Sequence, residues 1–188
     1  MLVKATNDRL MPTVSFAGRF YGVTLDSVMV VDTTAGGEGA KLAVFARLAT
    51  PIHRMMNDTV HLVEIAGELM LVQRKIRCAR GSGGVLKRTC KLYRVNLATG
   101  KATPAAARGR AIFVGRRRSL AVSPQVFPSL STNTAYAARV FDVPGSGREI
   151  CTYHLRDGST ETFFNCYESG RLAHPWSIAD CLTAYVSG

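Results

Sequence analysis

Between Leu71 and Leu120 the sequence has no aspartate and no glutamate, although fourteen lysines and arginines stand there. A stretch without carboxylates supplies no carboxylate pair for general acid–base work. No run approaches the roughly 18 apolar residues of a membrane helix. Met1 to Pro12 carries Lys4, Asp8 and Arg9 and lacks the apolar segment of a secretory signal. The GxSxG nucleophile turn and the GxxxxGK[ST] phosphate loop are both missing. His53, His61, His154 and His174 therefore have no recognisable nucleophile to serve, and the chain reads as a non-enzyme that takes no cofactor.

The five cysteines, Cys78, Cys90, Cys151, Cys166 and Cys181, are odd in number and include no CxxC pair. They read as reduced thiols of an intracellular protein, cytoplasmic or nuclear. Cys151 and His154 have CxxH spacing. A second close pair of ligands is absent, and strand alternation puts positions three apart on opposite faces, so no metal site is expected.

The cations are concentrated. Residues 1–70 and 121–188 are slightly acidic, so the whole +11 charge of the 188-residue chain comes from the middle block. Its members include Arg74, Lys75, Arg77 and Arg80, then Lys87, Arg88, Lys91 and Arg94, then Arg116, Arg117 and Arg118. Such a block attracts nucleic acid, anionic surfaces or acidic proteins. Only Tyr93 and Phe113 interleave with it, fewer aromatics than base-stacking surfaces carry. Gly81-Ser82-Gly83-Gly84 predicts a long loop, with the first two groups of cations solvated around it.

Hydrophobic patterning is short and β-like. Runs at Thr13–Phe16, Arg19–Val23, Ser27–Val31, Lys41–Arg47, Val60–Ile65, Glu68–Gln73, Lys91–Leu97, Ala111–Val114, Ser119–Val122, Glu149–Leu155 and Thr160–Phe164 are broken by turn residues. Asp157-Gly158 marks a hairpin. Helix is expected only as single turns, the best at Pro124–Leu130. Val14–Val23 lines up with Val63–Val72, so that Gly18 and Gly67 fall at the same place, 49 residues apart, and Gly115 follows 48 residues later. A period near 50 with about four strands suits propeller blades, here beginning near residues 12, 59 and 111. The expected fold is all-β: one propeller-type domain over residues 1–188, with three to four four-stranded antiparallel blades and an incomplete ring. Leu69, Leu71, Ile112 and Val114 are expected in its core. A β-sandwich is the alternative.

Several motifs carry a resemblance. Arg110-Ala111-Ile112-Phe113-Val114-Gly115 is followed by Ser119-Leu120-Ala121-Val122-Ser123, Phe127-Pro128-Ser129-Leu130 and Asn133-Thr134-Ala135-Tyr136. Upstream stand His61-Leu62-Val63-Glu64 and Gly67-Glu68-Leu69-Met70-Leu71-Val72; downstream stand Asp157-Gly158-Ser159 and His174-Pro175-Trp176. In order and spacing, over residues 14 to 178, this resembles the plant F-box-associated "domain of unknown function 295" family, the KIB-type β-propellers. It departs at Arg108-Gly109, where the family has Gly-Asp, and at His174-Pro175, where the family pairs prolines.

The resemblance implies a non-catalytic domain that recognises the protein target of a ubiquitin ligase. No Leu-Pro-rich helical F-box segment precedes the propeller, so direct binding of the ligase adaptor is not expected. Arg116, Arg117 and Arg118, in a turn between strands, are the candidate partner contacts. An open ring would also self-associate through strands near Val14–Phe16 and Glu161–Phe164. Two rival readings are a basic module for nucleic acid or anionic surfaces, and a truncated family copy without a function of its own.

Overall fold

The computed structural model describes residues 13–24, 26–32, 41–47, 58–78, 86–115, 118–140, 148–165, 167–168, 171–172 and 178–187. Two compact units follow one another along the chain, residues 1–105 and 106–188.

The first unit is built from two four-stranded antiparallel meanders. One comprises β1 (Val14–Phe16), β2 (Arg19–Val23), β3 (Ser27–Asp32) and β4 (Lys41–Arg47). The other comprises β5 (Thr59–Ile65), β6 (Glu68–Cys78), β7 (Leu86–Asn96) and β8 (Lys101–Pro104). Both open on a tight hairpin. Ala17-Gly18 and Ala66-Gly67 each have positive φ at both central positions, the primed turn that matches strand twist. The 49-residue repeat is thus a repeat of whole meanders.

A parallel bridge from Arg47 to Lys101 joins the two last strands into one eight-stranded sheet. That sheet curls until β1 and β2 lie beside β5. Inside the curl, Tyr21, Val23, Val28 and Ala46 of the first meander meet Val60, Leu62, Leu69, Leu71 and Val95 of the second. A register shift between Val28 and Met29 sets Phe45 and Ala46 consecutively against this core. There Phe45 meets the Tyr21 ring edge-on at 5.6 Å.

The second unit holds a five-stranded sheet in the order β10 (Ser119–Val122), β9 (Ala111–Val114), β11 (Thr134–Val140), β12 (Arg148–His154), β13 (Thr160–Asn165). The hairpins β9–β10 and β12–β13 form where Gly115 and Asp157-Gly158 predict them. The third repeat differs from the first two, because β11 pairs parallel to β9 on the side away from β10. Residues 123–133 make this crossover. They include one turn in which Val126 and Phe127 donate to the Ser123 carbonyl, as expected near Pro124–Leu130. A two-stranded ribbon, β14 (Tyr167–Glu168) with β15 (Arg171–Leu172), follows.

Two expectations fail. Helix is not confined to single turns: α1 (Ile178–Ser187) runs for ten residues. Ten residues are too few to form a helix alone. Its Leu182 and Val186, one turn apart, lie on Ala111, Phe113, Leu130 and Tyr136, so packing on the sheet supplies the stability that sequence periodicity did not advertise.

The second concerns the cations expected around the glycine loop. Arg74, Lys75 and Arg77 belong to β6, and Lys87, Arg88, Lys91 and Arg94 to β7; each strand is eleven residues long. A cation-rich strand hides its period because lysine and arginine bury their stems and keep their charges wet on either face. Arg80 and Gly81–Gly84 lie outside the described residues.

Candidate functional site

The family-like motifs of the second unit turn out to be structural. Ile112, Phe113 and Val114 are fully buried. Phe113 stacks on Tyr136 with centroids 4.8 Å apart and planes within 9°. The Tyr136 hydroxyl accepts from the Ser131 N–H at 3.1 Å. Asn133 takes φ 52°, and its side-chain carbonyl accepts from the Gly109 N–H at 2.9 Å. Arg108-Gly109, where the family pattern has Gly-Asp, has positive φ at both positions and closes a turn from Ala107 to Arg110. These residues hold the sheet together.

Of the three candidate contact arginines, Arg116 and Arg117 lie outside the described residues. Arg118 is exposed, and its guanidinium sits 4.4 Å from the Tyr185 ring centroid while donating to the Tyr185 hydroxyl at 2.9 Å. Its N–H also donates to the Val186 carbonyl at 3.3 Å. Arg118 therefore ties the β9–β10 turn to α1.

Cys151 is buried on β12, and His154 is half-buried at the same strand's end. The His154 Nδ1 lies 3.4 Å from the Thr134 hydroxyl, and its Nε2 lies 3.7 Å from a Glu161 carboxylate oxygen. Hydroxyl, imidazole and carboxylate in a row invite a catalytic reading. The Thr134 residue is fully buried, however, and its hydroxyl donates to the Thr132 carbonyl, so it offers no nucleophile to a substrate. Among the described residues no group of three His, Cys, Asp or Glu is placed to hold a metal.

The unusual chemistry lies on the second meander. Thr59, Arg74 and Cys90 stand side by side across β5, β6 and β7, and His61, Val72 and Leu92 form another row on the same face. His61 is buried, and neither ring nitrogen has a hydrogen-bond partner in the structure. Burial, helped by the Arg74 charge, holds its pKa down to about 3. Cys90 keeps some residue exposure, yet burial pushes its thiol up to about 12 against the opposing pull of Arg74. Both side chains stay neutral at physiological pH.

The neutral His61 has a consequence for acid stability. The unfolded imidazole protonates near 6.5, whereas the folded one resists to about 3. Stability is complete above pH 6.5 and falls as the pH drops toward 3, by roughly 1 kcal/mol per unit. Asp26, held below the usual carboxylate range first by the Ser27 hydroxyl, loses its contribution only further down, below its ordinary value of 3.8. The His61→Leu variant is expected to unfold later than wild type between pH 6 and 4 in circular-dichroism titrations, and no earlier at pH 7. Equal acid midpoints for the two proteins would refute this.

Thiol reactivity should follow the same burial. Of Cys90, Cys151 and Cys181, only Cys181 is exposed. Maleimide at pH 7.5 is expected to modify Cys181 in the native protein well before Cys90 or Cys151, as read by peptide mass spectrometry. Comparable rates at all three would contradict the burial.

At its far end the β6–β7 hairpin projects beyond the pairing of its neighbours. β5 pairs with β6 only as far as Thr59–Arg74, and β8 pairs with β7 only between Tyr93 and Asn96. The Asp58 side chain, fully buried, pins this ribbon. It accepts from the Ile76 N–H at 3.2 Å and takes both Arg77 terminal nitrogens at 2.6 and 2.7 Å. The Arg77 guanidinium accordingly titrates higher than usual, mainly through this hydrogen bonding. Arg77 faces Lys87 across the strands, a like-charge pair that Asp58 relieves. Lys87 and Lys91 are exposed, and neither has an ion pair among the described residues. Sequence reasoning set the first two groups of cations around a loop, although Lys91 opened the expected run Lys91–Leu97; the signal that could have found the ribbon was the β-branched and apolar positions, Ile76, Leu86 and Thr89, spaced among them.

The two four-stranded meanders, each opened by a primed turn, make one curled, nearly closed eight-stranded sheet. The sequence profile of the family described as KIB1-4 beta-propeller matches residues 4–154, and the chain belongs to that family. No curated protein and no solved structure matches it. Among the described residues no helix is long and apolar enough to cross a membrane.

Proposed function

We propose that this chain is a non-catalytic protein-recognition module, one propeller-type domain that selects a target for a ubiquitin ligase of the F-box type. Membership of the propeller family supports the reading. The observation that carries it is the pinned, cation-rich β6–β7 ribbon, a rigid projecting surface of one charge sign. Propellers and other β scaffolds recognise partners through such projections and rim loops. Arg116 and Arg117 would add contacts at the β9–β10 turn, with Arg118 holding that turn to α1. Free thiols fit a reducing compartment, cytoplasm or nucleus. The ligase adaptor would not bind this chain directly.

The test is cross-linking and affinity capture with the whole chain as bait, with and without added adaptor. A discrete set of proteins retained in 0.15 M salt supports the reading. Retention of nucleic acid alone, lost steeply as salt rises, would replace it with the nucleic-acid alternative that the basic ribbon also suits. Direct capture of purified adaptor would refute the claim about docking.

A further inference from the structure

On the face that carries Leu71 and Tyr93 toward the core of the first unit, the β6–β7 ribbon continues past Gln73 as a patch of cations. Register decides its layout. Lys75 stands directly opposite Thr89, while Arg77 opposes Lys87 and Gln73 opposes Lys91. Opposed residues share a face, with Cβ atoms about 4.5–5.5 Å apart, and second neighbours along a strand lie about 6.8 Å apart. Thr89 is therefore ringed by three lysines: Lys75 across the ladder, Lys87 and Lys91 on either side along β7. Lys87 and Lys91 are exposed; Lys75 and Thr89 are half-buried. None of the three lysines takes part in an ion pair among the described residues. Arg77, the other cation on this face of the ribbon, is held by Asp58, which also fixes the backbone at Ile76. Like charges set this close repel one another, and an anion bound among them relieves the repulsion.

We propose that Lys75, Lys87, Lys91 and the Thr89 hydroxyl form a docking site for a phosphorylated serine or threonine in a segment of a partner protein. A four-carbon stem lets each ammonium swing toward one point above Thr89. A phosphomonoester brings about −1.5 to −2 charges and three acceptor oxygens to that point, one for each ammonium, and the Thr89 hydroxyl donates from below. A carboxylate brings a single charge and two oxygens, too few for three converging cations. A duplex spreads its phosphates along a line, whereas these lysines surround one centre. Arginine grips phosphate bidentately, but Arg77 is committed to Asp58. The lysines act instead as point charges, which accept a monoester in any rotation about its ester bond. Asp58 holds the ribbon in place, so the spacing of the three lysines is set before the ligand arrives.

This inference rests on the protein-recognition reading and refines it. The test is binding of the whole chain to arrays of nine-residue peptides with randomised flanks and a fixed central residue: phosphoserine, serine or glutamate. The strongest phosphopeptide and a 16-base-pair DNA duplex are then compared by fluorescence anisotropy. Phosphoserine peptides are expected to bind at least about tenfold tighter than their serine and glutamate counterparts. The Lys75→Gln/Lys87→Gln/Lys91→Gln variant should lose that preference. The Arg19→Gln/Lys101→Gln/Arg156→Gln variant removes the same charge at three other exposed positions and should keep it. Because Lys75 is half-buried, Lys87→Gln/Lys91→Gln serves as the second variant. Both of its positions are exposed, so it should keep the wild-type circular-dichroism spectrum and melting temperature and still lose most of the preference. Equal binding of phosphoserine and glutamate peptides, or binding of neither, would overturn the phosphate site. An equal loss in the charge-matched variant would overturn its location. Tighter binding of the duplex than of the strongest phosphopeptide would overturn the choice of partner. Should the captured cellular partners survive both phosphatase treatment and the triple lysine substitution, the recognition reading stands and the lysine site does not; should no protein be captured at all, the recognition reading itself falls.

Discussion

The Gly100→Ala variant is expected to lose roughly 2–4 kcal/mol of stability in the first unit. Gly100 ends the turn between β7 and β8, where its N–H donates to the Asn96 carbonyl at 2.9 Å. The Asn96 side chain accepts from the N–H groups of Ala98 and Thr99, which tightens the same turn. At φ 65° an alanine there is strained in its own backbone. A methyl group would also lie 2.6 Å from the Phe45 carbonyl oxygen, a backbone atom on the other meander. Neither partner can rotate away, because Phe45 sits in the irregularity of β4 with its ring in the core. The substitution therefore wedges the two meanders apart at the place where the Arg47–Lys101 bridge joins them. Urea unfolding followed by circular dichroism measures the loss; a midpoint within error of wild type would show that the meanders do not meet there.

Truncating Phe113 should be as damaging to the second unit. The ring is fully enclosed among Ala111, Leu130, Tyr136 and Val186 and stacks on Tyr136. Phe113→Ala is expected to cost about 3–5 kcal/mol, the transfer of a buried ring plus the cavity it leaves. Because α1 rests on the same cluster through Leu182 and Val186, the helix should loosen first. Amide exchange at residues 180–186 should rise more than exchange in β12. A helix as protected in the variant as in the wild type would mean that it owes its stability to something other than this cluster.

The candidate surface was only half legible in advance. The charge itself was plain from composition, since fourteen cations without a carboxylate stand between residues 71 and 120. Its organisation was not, because a strand carrying cations on both faces has no hydrophobic period to read. The glycines between Arg80 and Val85 pointed to a loop, and that signal outweighed Ile76 and Leu86. Asp58, which pins the ribbon, is eighteen residues away from the Ile76 N–H it accepts, a distance at which spacing says nothing about contact. His61 gave no warning either: it lies in an alternating apolar run, and only the burial of both ring nitrogens makes it acid-sensitive.

The sequence by itself determined the class. Period-two runs, primed-turn glycines at 18 and 67 and a repeat of 49 residues specify antiparallel meanders, because turn geometry and strand alternation are local properties of the chain. Leu69, Leu71, Ile112 and Val114 are buried as expected, although their neighbours Met70, Val72 and Phe113 are buried too, so these strands are covered on both faces. Tertiary structure decided what depended on partners distant in the chain. It joined β4 to β8, set β11 parallel to β9 and made a helix of residues 178–187 by giving Leu182 and Val186 a surface to cover.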